Sequence, residues 1–242
     1  MESFADRLSV VQGQIIDAAA RAGRDPGEIT LIAVSKTHSP EAVRDAMDAG
    51  HFLFGESRVQ EARAKIPEVS SRAHWHFIGH LQKNKIRHAL PLFELLHSVD
   101  SAELAADIDR VAGEAGVHPR VLLEVNVAGE GSKFGFSPAK LRADLEQLLA
   151  LDRLQIEGLM AIPPVAAEAE HSRKYFVALR ELRDRLQEEF RLPLPQLSMG
   201  MSGDFPIAIE EGATLVRVGT ALFGTRRGKT WKPASGEFGG DD

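Results

Sequence analysis

The chain has 242 residues, 29 Lys and Arg against 35 Asp and Glu for a net charge of −6, and no cysteine. That length supports a large core without staples, the acidic balance excludes the basic footprint of a nucleic-acid binder, and the missing thiol excludes disulfides, Cys-based zinc sites and thiol nucleophiles. The stretch up to Gly23 mixes acids with apolar residues, unlike a signal peptide, and no apolar run approaches the roughly 20 residues of a membrane span, so a cytoplasmic protein without a membrane partner is expected.

Leu8, Val11, Ile15, Ala18 and Ala19 recur at helical spacing before Gly23, which predicts an amphipathic first helix. Strands are expected at 29–35, 51–54, 75–78, 94–99, 120–127, 154–160, 195–199 and 214–218. Most are short apolar runs rather than alternating ones, the pattern of strands covered on both faces of a parallel sheet. Helices are expected between them: 40–49 behind Ser39-Pro40, then 57–66, then 81–90. A capping-box-like pair, Asp100 and Glu103, opens a segment carrying Leu104, Ile108 and Val111. Ser137-Pro138 starts a helix with Leu141, Leu145 and Leu148; a long one at 168–190 aligns Phe176, Leu179, Leu182 and Leu186; a short one runs from Phe205 to Glu211. Eight strands alternating with helices predict an α/β fold, a single (β/α)8 TIM-type barrel with an extra N-terminal helix as cover. A doubly wound open sheet is the alternative. The barrel is expected over residues 1–224, with a mobile tail, including Trp231, over 225–242.

Active sites of such barrels lie where the strands end. Lys36 follows the first strand and Gly55-Glu56-Ser57-Arg58 the second. Two Gly-containing loops, Ser198-Met199-Gly200-Met201-Ser202-Gly203-Asp204 and Val218-Gly219-Thr220-Ala221, follow the seventh and eighth. Those are the loops that hold phosphate in many barrels, and their backbone N–H groups and the hydroxyls of Ser198, Ser202 and Thr220 suit an anion. Ordinary capped turns are the competing reading. A lysine at a strand end is commonly just solvated, but beside a phosphate cradle it suits an imine with a phosphorylated aldehyde, either pyridoxal phosphate (PLP) or a sugar phosphate. Arg217 precedes Gly219 by two residues and shares its sense on the strand. Inside a barrel it needs a partner, either a pyridine nitrogen or a carboxylate such as Glu56.

The stretches "AVSKTHSPEAV", "FGESRVQEA", "WHFIGHLQKNK", "EVNVAGEGSKFGF", "GLMAIPP" and "LSMGMSGDFPIAIEEGATLVRVGTALFG" closely resemble the pyridoxal-phosphate homeostasis protein family, from about residue 4 to 224 and in family order. That family is similar to the barrel domain of alanine racemase, a fold-type III PLP protein. The resemblance implies PLP held as an aldimine by Lys36, with Arg217 facing the pyridine nitrogen and the phosphate against Ser198, Met199, Gly219 and Thr220. It implies intracellular PLP homeostasis by storage, buffering or delivery to apo PLP-dependent enzymes, and a monomer. One position departs: where the family pattern is expected to read Gly-Glu-Asn, this chain has Gly55-Glu56-Ser57.

The rival readings are an amino-acid racemase and a class-I aldolase. A racemase needs proton-transfer groups on both faces of its substrate. Lys36 would supply one, but the opposite tyrosine of alanine racemase belongs to a second domain that is not expected here. The chain's one tyrosine, Tyr175, falls mid-helix. An aldolase lysine sits on a later strand. Lys133, in the loop after the fifth strand, is a candidate secondary PLP contact. The histidines His74, His76, His80 and His88 lack metal-ligand spacing, and Lys83, Lys85 and Arg87 read as a solvated helix face.

Overall fold

A computed structural model of the chain describes residues 2–129, 134–164, 168–224 and 231. Eight parallel strands close into a barrel in chain order, with β1 hydrogen-bonded to both β2 and β8. They are β1 (Thr30–Val34), β2 (Leu53–Glu56), β3 (His74–Phe77), β4 (Leu95–Val99), β5 (Arg120–Glu124), β6 (Gln155–Met160), β7 (Gln196–Met201) and β8 (Leu215–Val218). Each contains part of one of the apolar runs expected to be a strand. The open-sheet alternative is excluded by the pairing of the first strand with the last.

Among the described residues nine α-helices accompany the barrel: α1 (Phe4–Arg21), α2 (Pro40–Asp48), α3 (Val59–Lys65), α4 (Ile86–Ala89), α5 (Ala102–Ala115), α6 (Pro138–Leu149), α7 (Arg173–Phe190), α8 (Phe205–Glu210) and α9 (Thr220–Phe223). The extra helix α1 starts in a capping box, in which Ser3 and Asp6 satisfy each other's backbone N–H. Helix α5 differs from expectation at its start. Its cap is Ser101, which accepts from the Leu104 N–H, while Asp100 accepts from the His80 ring at 3.0 Å. The 81–90 segment is a 3-10 turn, Lys83–Lys85, running into the single turn of α4.

Alternation along the strands sorts the side chains into two cores. Ala33, Phe54, Trp75, Phe77, Leu96, Val121, Leu123, Leu159, Leu197, Met199, Val216 and Val218 face the helices. Ile32, Leu95, Leu122, Met160 and Leu215 fill the barrel itself, with Leu53 packed against them. Arg217 lies two residues beyond Leu215 and so continues the inner set toward the strand ends, buried at 4% exposure. The β7–β8 register shifts between Ser198 and Met201. Gly200 sits there with φ +91°, and a Cβ would come within 2.6 Å of Ala208 Cβ. Only glycine lets that loop fold down onto α8.

Residues 225–230 and 232–242, to which most of the expected tail belongs, lie outside the described residues, as does Lys133. Trp231, assigned to the expected mobile tail, is described. Its backbone N–H donates to the Thr37 carbonyl at 3.0 Å, and Lys65 Nζ lies 5.3 Å from the centre of its ring.

Candidate functional site

A cavity of about 310 Å³ opens where the strands end, within the range usual for small-molecule sites. Its lining includes Lys36 beyond the end of β1, Ile78 beyond β3, Ile162 beyond β6, Ser202 beyond β7, Arg217 on β8, and Gly219 and Thr220 where β8 leads into α9. Thus Lys36, Arg217, Gly219 and Thr220, widely separated in sequence, share one wall because β1 and β8 are neighbours. A larger groove of about 790 Å³ lies by the start of α1 and shares only His38 with this cavity. It is lined by Glu2, Asp45 and Asp48, and its Arg7 is engaged with the carbonyls of Glu2 and Leu222, so it offers no anion cradle.

On the β7–β8 side, Ser202 Oγ accepts from the N–H groups of Gly219, at 3.1 Å, and Ala221, at 3.3 Å. Asp204 pins the loop by accepting from the Met201 N–H at 2.7 Å. The cavity face of this loop is therefore Met201-Ser202-Gly203. Ser198 and Met199 are placed differently. The Met199 side chain packs among the helices outside the barrel, and the Ser198 hydroxyl is buried and engaged with Arg217 and His97.

Arg217 donates to Ser198 Oγ at 2.5 Å and to the Ala161 carbonyl at 2.9 Å. Among the described residues it has no ion-pair partner. Glu56, the carboxylate considered for it from the sequence, pairs instead with Lys65 at 2.6 Å. Burial lowers the guanidinium to about 10, while Glu124 and Asp204 pull it back up, so it remains charged at neutral pH. A guanidinium only donates, so Ser198 Oγ must accept from it, and the serine hydrogen is left for His97 Nδ1, 2.8 Å away. His97 Nε2 then carries the hydrogen donated to His76 Nδ1 at 3.0 Å. Burial pushes His76 down to about 4 and His97 well below its ordinary value, keeping both rings neutral as this directional chain requires. The chain crosses the barrel from β8 through β7 and β4 to β3 and fixes the arginine from behind. Glu124, at the end of β5, is pushed up to about 7, mainly by burial, with Asp100 adding to the shift and Arg217 opposing it.

Residues 16–227 match the family described as "Alanine racemase, N-terminal domain". A pyridoxal phosphate homeostasis protein of Aquifex aeolicus (strain VF5) is 45% identical over 223 residues, covering 92% of this chain and 98% of the relative. One of the same name from Escherichia coli (strain K12) is 39% identical over 231 residues, covering 93% and 98%. The chain belongs to the pyridoxal phosphate homeostasis protein family. Among solved structures, PipY of Synechococcus elongatus PCC7942 with PLP bound superposes with a TM-score of 0.82 at 43% identity, covering 92% of this chain and 100% of that one. An alanine racemase of Clostridium difficile 630 superposes at 0.71 with 16% identity, covering 90% of this chain and 56% of the racemase, a likeness of fold alone.

In this member of the pyridoxal phosphate homeostasis protein family, the departing residue Ser57 does not line the cavity described above. It lines a separate one of about 250 Å³, with Arg58, Gln60, His80 and Lys85 among the neighbours. The other rim cations are engaged: Lys83 pairs with Asp107 at 2.9 Å, and Arg87 with Glu114. His74 bonds Glu94 at 2.5 Å, and His80 stacks on Phe134 at 3.8 Å. Sequence reading passed over His97, Glu61 and Lys65. The available signal was a histidine inside the apolar run Leu95–Val99 and a Glu/Lys pair at (i, i+4) on one face of a short helix.

Proposed function

We propose that this protein binds PLP in the cavity at the strand ends, with Lys36 joined to its aldehyde as an imine, and that it stores, buffers or delivers the cofactor without substantial amino-acid turnover. The observation that carries this reading is the buried Arg217, charged and, among the described residues, without a carboxylate partner, on one wall with Lys36 and the Gly219-Thr220 turn. It needs an acceptor that leaves its protons in place, and an unprotonated pyridine nitrogen is one. Phosphate then falls to the Gly219-Thr220 turn, where the Thr220 hydroxyl and the hydroxyl hydrogen of Ser202, whose oxygen accepts from the Gly219 and Ala221 N–H groups, are the donors. Ser198 acts from behind by holding the arginine.

When bound, PLP supplies an aldehyde for imine chemistry and a ring that can withdraw electrons. A donor-only partner at the ring nitrogen keeps that nitrogen unprotonated and weakens the withdrawal, which favours holding the cofactor over using it. Tyr175, the chain's one tyrosine, sits on α7 beside Lys174, on the outer layer of helices and away from the cavity lining. The relatives named for PLP homeostasis and the PLP-bound PipY structure support the same reading.

The test incubates PLP-loaded protein with L-alanine and other amino acids, follows enantiomers by chiral chromatography, and separately offers the loaded protein to an apo PLP-dependent enzyme. Transfer without turnover is expected. Turnover near the enzyme range of about 1–10³ s⁻¹, lost in Lys36→Ala, would restore the racemase.

A further inference from the structure

The two peptide units that flank Lys36 are gripped by one short helix. On one side, the Ser35 carbonyl accepts from Lys65 Nζ at 2.9 Å. On the other, the Thr37 N–H donates to Glu61 Oε1. Glu61 and Lys65 are one turn apart on α3 and bond each other at 2.9 Å. Lys65 is wholly buried, and its third bond goes to Glu56 Oε1 at 2.6 Å, which also accepts from Ser35 Oγ at 2.7 Å. With all three ammonium donors used, Lys65 is not free to act as an alternative imine lysine.

The grip holds a strained backbone. Thr37 has φ +67°, a left-handed conformation that a β-branched residue adopts only where its surroundings impose it. Among the described residues, its side-chain Oγ1 and Glu56 Oε2 are buried without a hydrogen-bond partner. Strain and unpaired buried oxygens directly beside an exposed lysine mark a turn shaped for something other than stability. The Thr37 carbonyl is held as well, by the Trp231 N–H.

We propose that Glu61 and Lys65 are positioning residues, a buried clamp that fixes the Lys36 turn in its left-handed form and so aims the lysine amine into the cavity. This rests on the imine role proposed for Lys36. Neither clamp residue lines the cavity, so the clamp acts on imine formation and leaves recognition of ring and phosphate alone.

Two ligands separate those effects. PLP reads imine formation through its visible absorption, whereas pyridoxine 5′-phosphate keeps ring and phosphate but has no aldehyde. Glu61→Ala removes a charged acceptor, so apparent PLP affinity should fall about tenfold or more while pyridoxine 5′-phosphate affinity changes less than about twofold. Glu61→Gln keeps an acceptor for the Thr37 N–H and should recover part of the loss. If Glu61→Ala does not fold, Glu61→Gln carries the test with the same split at about threefold. Equal losses for both ligands, or an unchanged PLP affinity, overturn the clamp. An imine that forms normally in both variants refutes the clamp alone, whereas a wild-type protein with no reducible imine at Lys36 refutes the underlying reading instead.

Discussion

His76 offers the sharpest quantitative handle on the polar chain behind Arg217. The perturbation is His76→Asn, whose amide oxygen can still accept from His97 while nothing titrates at that position. In the folded protein His76 is 6% exposed, and burial holds it near 4 against an ordinary 6.5. Nearby Glu94 pulls it up, and Arg120 and His74 push it down. A depressed folded pKa contributes stability that is present above pH 6.5 and is lost as pH falls toward 4. Two and a half units correspond to about 3 kcal/mol in full, and about 2 kcal/mol of that disappears between pH 7 and pH 5. Glu124, raised to about 7, works in the opposite sense, losing stability as pH rises through roughly 4.5–7, so the wild-type profile alone mixes the two. The difference between variant and wild type isolates the histidine. Urea unfolding followed by circular dichroism at pH 7, 6 and 5 should show the variant less stable at pH 7 but gaining about 2 kcal/mol on wild type by pH 5. Profiles that stay parallel within about 0.5 kcal/mol would refute a neutral, buried His76.

Gly219→Val should weaken PLP far more than pyridoxal, because a Cβ there meets only Val34 at an ordinary 3.5 Å and the fold is kept; equal loss for both ligands, measured by spectral titration, would count against a phosphate at this turn. Lys65→Met should destabilise the fold by about 3–5 kcal/mol in chemical denaturation, since two buried carboxylates lose their counter-charge, and adding Glu56→Gln with Glu61→Gln should recover most of it. Arg217→Met should leave PLP able to form its imine but shift the absorption maximum and weaken binding about tenfold or more; an unchanged spectrum would separate the arginine from the ring.

The barrel was legible because its strands are covered on both faces and therefore read as apolar runs separated by helical spacing. That Arg217 shares the sense of Gly219 was legible too, from their two-residue step, but that this sense is inward came only with the barrel. Lys36 and the Gly219-Thr220 turn announced themselves by their place after strands. What stayed hidden depends on closure. Arg217, Ser198, His97 and His76 meet only when four strands curve around one axis, and Glu61 reaches the Thr37 N–H only when α3 packs beneath the β1 turn. The hydroxyls of Ser198 and Ser202 were both legible as phosphate candidates, but the bend at Gly200 sends one into the barrel and the other to the cavity. Helix α9, at four residues, is too short to leave a period. The start of α5 was obscured because Asp100 and Ser101 are both good caps, and the side chain of Asp100 is engaged by His80.

The most direct measurement is reduction of the PLP-loaded protein with borohydride, followed by proteolysis and peptide mass spectrometry. The imine assignment requires the pyridoxyl group on the peptide containing Lys36, and its loss, together with the yellow absorption, in a folded Lys36→Ala variant. A label found on a different lysine, or an undiminished absorption band in that variant, would contradict it.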